Sequence, residues 1–149
     1  MNFYKFLKNN ESDFKGRSLS DIWSYNDEEI EKYHDFIQLI FPLNKQSRSA
    51  FHGYYLDKKD QIETIKNDED IKKNILKSSY WFLGFLERTN HWKSGYNHNQ
   101  LRITRIIECL KLLVSDEEAK KFHNDVMSLI DDENKINKVT TTFWQDALK

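Results

Sequence analysis

The sequence predicts an all-α protein: one compact multi-helix domain spanning residues 1–149, with about five main helices and short helices at both ends. Three observations carry that expectation. Apolar residues recur with helical spacing, and no stretch sustains the alternation of a half-buried strand. Capping residues stand where the periodic segments begin. Finally, 4 Gly and 1 Pro in 149 residues leave too few turn formers for an all-β chain.

Taken in order, "NFYKFL" predicts a short N-terminal helix and "SLSDIW" a second, capped by Ser18 or Ser20. Residues 26–42 read as one helix. Asn26 and Glu29 have capping-box spacing, acids fill the first turn, Pro42 ends the segment, and Ile30, Tyr33, His34, Ile37 and Phe41 form its inward face. Residues 43–55 are the longest irregular stretch. "DKKDQIETIK" reads as a helix capped by Asp57. The longest helix follows, capped by Asn67 or Asp68, with Ile71, Ile75, Ser78, Phe82, Phe85 and Leu86 along one face. Its second half is apolar nearly all round, and Gly84 suggests close approach of a neighbouring helix. After the loop "NHWKSGYNHN" comes "YNHNQLRITRIIECLKLLV", residues 96–114, capped by Asn97 or Asn99. A capping box from Ser115 to Glu118 opens the next helix, and Thr140 is the expected cap of a last short one.

The totals bound the function. Lys+Arg 23 against Asp+Glu 24 gives a net charge of -1, so a nucleic-acid contact would need a local basic patch. The lone Cys109 excludes an internal disulfide and fits a reducing compartment. The N-terminus lacks an apolar run of signal-peptide length, and "YWFLGFL" is too short to span a bilayer, so the expected location is cytoplasmic.

The helix over residues 96–114 raises the one functional question. Ile103, Ile106, Ile107, Leu110 and Val114 form its apolar face, and Thr104, Glu108 and Lys111 its polar stripe. Leu101 and Leu112 fall on the far side, which predicts packing on more than one side. Arg102 and Arg105 avoid the polar stripe. An arginine so placed keeps its charge and needs partners. One reading is a salt bridge to an acid such as Glu31, Asp35 or Glu87. The other is an anion site, because the fork of a guanidinium suits a carboxylate or phosphate and the helix start adds positive potential. Asn97, His98 and Asn99 would supply directional hydrogen bonds.

Two stretches carry a family resemblance. "NHNQLRITRIIECL" resembles a signature of the opioid growth factor receptor conserved region, and "EKYHDFIQLIFPLN" is similar to that family's other hallmark, here His34, Phe36, Ile37, Gln38, Phe41, Pro42 and Leu43. "YYLDKKDQI" and "SYWFLGF" fit weaker motifs between them, so the resemblance runs in order from Phe3 to Leu148. It implies a helical binding domain without a transmembrane span or a known catalytic centre. The chain departs from animal members in its short loop before the second motif and in stopping at the domain's end. The abundance of Asn, Lys and Ile fits an AT-rich, bacterial or phage genome. The opioid ligand of the family's name is not carried over, because nothing in these residues encodes it.

The expected site is a groove between the His34 and Arg102 helices, lined by His34, Gln38, Asn97, His98, Asn99, Arg102 and Arg105, taking a peptide or small anionic ligand. The rival function is an enzyme with His34 or His98 as general base and the arginines holding an anionic substrate. His123 reads as a core residue, His52 and His91 as surface residues. No metal or cofactor is expected: His91 and His98 are too loosely spaced for a metal signature, HExxH is absent, and no glycine-rich phosphate loop occurs. Cys109 lies beside an apolar face, where a thiol is inert.

Overall fold

The computed structural model describes residues 1–47, 53–131 and 135–149. Among them there are nine helices and no strand, so the all-α expectation is met. The chain divides into two compact units, Met1–Ser78 and Ser79–Lys149.

The first unit is built from short helices: α1 (Phe3–Leu7), α2 (Leu19–Trp23), α3 (Asp27–Lys32), α4 (Ile37–Ile40), α5 (Lys59–Lys66) and the beginning of α6 (Glu69–Arg88). Local chemistry explains the starts. Ser18 and Asp21 form a reciprocal capping box for α2, and Asn26 and Glu29 form one for α3. Asp68 opens α6 by accepting from the amides of Asp70 and Ile71, at 3.0 and 3.1 Å. At the end of α1, Asn9 adopts φ 64°, a left-handed turn that asparagine tolerates. Helices this short are unstable alone, so burial holds them: Phe6, Ile22, Ile30, Phe36, Ile40 and Phe41 are fully buried.

Three expectations in this unit are corrected. Residues 26–42 do not form one helix. The chain leaves α3 at Tyr33, which is extended (φ -83°, ψ 132°), and re-enters a single turn, α4. The cause is non-local: Arg17 Nη2 donates to the Asp35 carbonyl at 3.1 Å, taking an acceptor a continuous helix would need. His34 therefore lies on no helical face and is exposed, while Tyr33 is half-buried. Asp57 does not cap α5; Lys58 holds that position without a side-chain bond.

The second unit holds the rest of α6 with α7 (His98–Leu113), α8 (Asp116–Ser128) and α9 (Lys138–Ala147). Phe82, Phe85, Ile103, Ile106, Ile107 and Leu110 are fully buried. Ser115 caps α8 by accepting from the amide of Glu118 at 3.1 Å. The start of α9 is three residues earlier than expected: Asn137 caps it, not Thr140. Gly84 makes room for its own helix, since a Cβ there would stand 2.9 Å from Arg88 Nη1. Leu101 does not pack; it is exposed. No helix among the described residues is long and apolar enough to cross a membrane.

Candidate functional site

The start of α7 is assembled from the loop before it. Trp92 is fully buried and its Nε1 donates to the carbonyls of Leu86 and Thr89, at 3.0 and 3.1 Å, closing the end of α6. Gln100, itself buried, then ties this loop to α7: its Nε2 donates to the carbonyls of Trp92 and Ser94, both at 2.9 Å. Thr140 Oγ1 donates to Gln100 Oε1 at 3.2 Å, and Trp144 Nε1 donates to the Gln100 carbonyl at 3.0 Å. One residue thus joins the loop, α7 and α9 through bonds that satisfy its whole amide. Trp144 is fully buried, so it serves this core.

Around that node stand the expected site residues of the second unit. Asn97 caps α7, its Oδ1 accepting from the amide of Asn99 at 2.9 Å. Asn99 is fully buried, and its Oδ1 accepts from Arg102 Nη1 at 3.1 Å. Asn99 Nδ2 stands 3.5 Å from His91 Nε2, on an exposed imidazole whose ring meets Phe85 edge-on. Arg102 is only 7% exposed. Arg105, half-buried one turn on, has its pKa lowered: burial outweighs the opposing influence of nearby acidic groups, Glu108 among them. His98 is half-buried. The first turn of α7 contains no acid. The structure therefore brings Asn97, Asn99 and Arg102 together at one capped helix start, with Arg105 on the next turn.

His34 and Gln38 belong to the first unit, exposed and half-buried respectively. Of the acids expected to answer an α7 arginine, Glu31, Asp35 and Glu87, Asp35 is bound within the first unit by Arg17 and Lys15. Arg17 Nη1 donates to Asp35 Oδ1 at 2.7 Å, and Lys15 Nζ is ion-paired to Asp35 Oδ2. Arg17 also grips Asp13, its Nε donating to Oδ2 at 2.8 Å and its Nη2 lying 2.7 Å from the same oxygen. Burial works against the Arg17 charge, but the bonds to Asp35 and Asp13 outweigh it and raise the pKa. Burial likewise opposes the Asp35 charge, and hydrogen bonds from Lys15 and Arg17 more than reverse that, lowering its pKa.

Catalytic candidates fare poorly. The Cys109 thiol is fully buried, and burial pushes its pKa up to about 12, which leaves it protonated and unreactive at neutral pH. His123 is half-buried with its pKa lowered, chiefly by burial, and its buried Nε2 has no hydrogen-bond partner. It stands on α8 near the buried Phe122 and Val126 but is itself only half-buried, short of the core position expected. His52 lies outside the described residues. No group of three or more His, Cys, Asp or Glu that could hold a metal ion occurs among the described residues.

Reading by sequence alone missed Gln100, Arg17 and Asp13. Gln100 stands inside a quoted motif, yet a single polar residue on a helix gives no sign of its partners. Asp13 and Arg17 carry a weak signal, four residues apart around a turn with Gly16 at φ 79°.

A family model described as the opioid growth factor receptor conserved region matches residues 1–149. Among curated proteins, the opioid growth factor receptor of Mus musculus is 29% identical over 133 residues, covering 74% of this chain and 20% of that protein. The opioid growth factor receptor of Rattus norvegicus is 27% identical over 133 residues, covering 74% of this chain and 22% of the relative. The chain therefore spans only about a fifth of the length of these relatives. No solved structure matches.

Proposed function

The chain belongs to the family of the opioid growth factor receptor conserved region, and from that premise we propose that it is a non-catalytic binding domain whose α7 start takes an anionic group. The ligand class is a phosphate or carboxylate, borne by a small molecule or by an acidic peptide end. One observation carries the reading: Arg102 and Arg105 both lie within the first two turns of α7, withdrawn from solvent, behind a capped start with no acid in its first turn. Burial depresses the Arg105 charge, and an incoming anion would offset that penalty. The neutral hydrogen bonds of Asn97, Asn99 and Gln100 hold the helix start in place without introducing a competing negative charge.

The peptide ligand in the relatives' name is not part of this proposal. His34 and Gln38, in the first unit, play no part in it. The enzyme reading rests on His34 or His98 as general base, and no observation favours it over binding: His34 is exposed beyond the end of α3, and His98 is half-buried in the first turn of α7.

The test is thermal protection by inorganic phosphate and by acetate at millimolar concentration, in the parent and in Arg105→Gln. A site predicts a rise in the parent melting temperature that is lost in the variant, while the unliganded melting temperature changes little. A purely structural arginine gives the opposite pattern: a lower melting temperature in the variant and no protection of the parent by either anion.

A further inference from the structure

A second feature of the same unit lies on a different face of α7 from Arg102 and points to a macromolecular partner. Four large apolar residues remain open to solvent where α7 and α9 begin: Tyr96 is 73% exposed, Leu101 55%, Val139 59% and Phe143 55%. Singly exposed apolar residues are ordinary; a group is not. The hydrogen bonds place them together. Gln100 is bonded to Thr140 and Trp144, and Lys111 Nζ to the Leu148 carbonyl at 3.1 Å, so α7 and α9 run side by side in the same direction. On parallel neighbours, the residue after Gln100 and the residues before Thr140 and Trp144 turn to the same side. That puts Leu101 beside Val139 and Phe143. Tyr96 and Leu101 occupy the two positions of a hydrophobic staple, one before the cap and one four residues into the helix, so Tyr96 extends the same ridge.

Charge at the rim selects the occupant. Lys135 and Lys138 are exposed at the start of α9, and neither helix has an acid in its first turn. Further along α9, Asp146 pairs with Lys149 at 3.1 Å. We propose that Tyr96, Leu101, Val139 and Phe143 form a docking ridge for an amphipathic helix from another protein, whose apolar side chains lie on the ridge and whose acidic flank meets Lys135 and Lys138. Such a helix would use anchors one turn apart, matching the spacing of Val139 and Phe143. The acidic flank would speed and orient docking, and the apolar contact would supply most of the affinity.

The experiment titrates the whole chain with two synthetic peptides, read by fluorescence anisotropy. One is an amphipathic helix with Leu and Phe on its apolar face and Glu on its flanks; the other carries Lys in place of Glu. The expected result is at least tenfold tighter binding of the Glu peptide, weakened by salt. Phe143→Glu should weaken it at least tenfold, with the circular dichroism spectrum unchanged because the side chain is exposed. Methyl chemical shifts of Leu101 and Val139 in the unaltered protein should move on titration, which keeps the test valid if the variant misfolds. Equal binding of both peptides, no binding of either, or shifts that map elsewhere would overturn the proposal. So would a concentration-dependent dimer abolished by Phe143→Glu, since a second copy would then cover the ridge. Phosphate protection through Arg105 should survive in Phe143→Glu, so failure here and failure of the anion site are separable.

Discussion

The two units solve the same problem, fixing irregular connections between helices, with different chemistry. In Met1–Ser78 the helices have four to eight residues before α6 begins, and the break between α3 and α4 is held by charge. Arg17 binds two carboxylates and a backbone carbonyl at once. In Ser79–Lys149 the helices are longer, and the loop before α7 is held by neutral hydrogen bonds that converge on Gln100. The difference bears on the proposed anion site. A charged clamp neutralises itself, as Arg17 does with Asp13 and Asp35. A neutral clamp leaves the nearby Arg102 and Arg105 in surroundings that the clamp does not make negative, which is what an anion site requires.

The strongest way to break this comparison is to remove one clamp at a time. Arg17→Ala takes the guanidinium from Asp13, whose side chain is fully buried, and leaves Asp35 with Lys15 alone. It should destabilise the protein by about 3–5 kcal/mol, as stranding a buried charge does. Arg17→Lys should recover little of this, because a point charge cannot reproduce the fork. Gln100→Ala strands two carbonyls and the Thr140 hydroxyl but no charge, and the expected loss is smaller, about 2–3 kcal/mol. Urea denaturation monitored by tryptophan fluorescence measures both. If Gln100→Ala cost less than about 0.5 kcal/mol, well below the range for stranded buried groups, the neutral clamp would be of no consequence.

Acid sharpens the contrast with a smaller effect. The Asp35 pKa is lowered in the fold, so its contribution is present above the ordinary carboxylate value and is lost as pH falls through the depressed one. Amide exchange around residues 13–17 and 35 should therefore accelerate below about pH 4, the ordinary Asp range. No carboxylate enters the Gln100 clamp, so amides at the start of α7 should keep their protection there. His123, with its folded pKa lowered, acts in the window above. Its neutral form is favoured in the fold, so stability falls as pH drops below its ordinary value of about 6.5. His123→Gln should flatten the melting temperature between about pH 5 and 7. An unchanged slope in that variant would remove His123 from the account.

What the sequence made legible follows the range of the interactions involved. The caps Ser18, Asn26, Asn97 and Ser115 were readable because each acts on an amide two or three residues away. So was the burial of Ile103, Ile107, Leu110, Phe82 and Phe85, which a helical repeat encodes directly. The break in residues 26–42 was not, because its cause lies at Arg17, eighteen residues before Asp35. Leu101 read as a packing residue because its wheel position is apolar; exposure depends on where neighbouring helices stand, which no local pattern records. In the cluster, Arg102 and Arg105 were visible as residues out of place on a wheel, and Asn97 and Asn99 as candidate caps. The scaffolding role of Gln100, forty residues from Thr140 in the chain, was not.

The anion site is tested most directly by nuclear magnetic resonance of the arginine side chains during titration with inorganic phosphate. The account predicts saturable shifts of the Arg105 and Arg102 Nε–H resonances at millimolar phosphate, accompanied by the amides of residues 98–102 and absent in Arg105→Gln. Arginine resonances that stay still while only exposed lysines respond would contradict it.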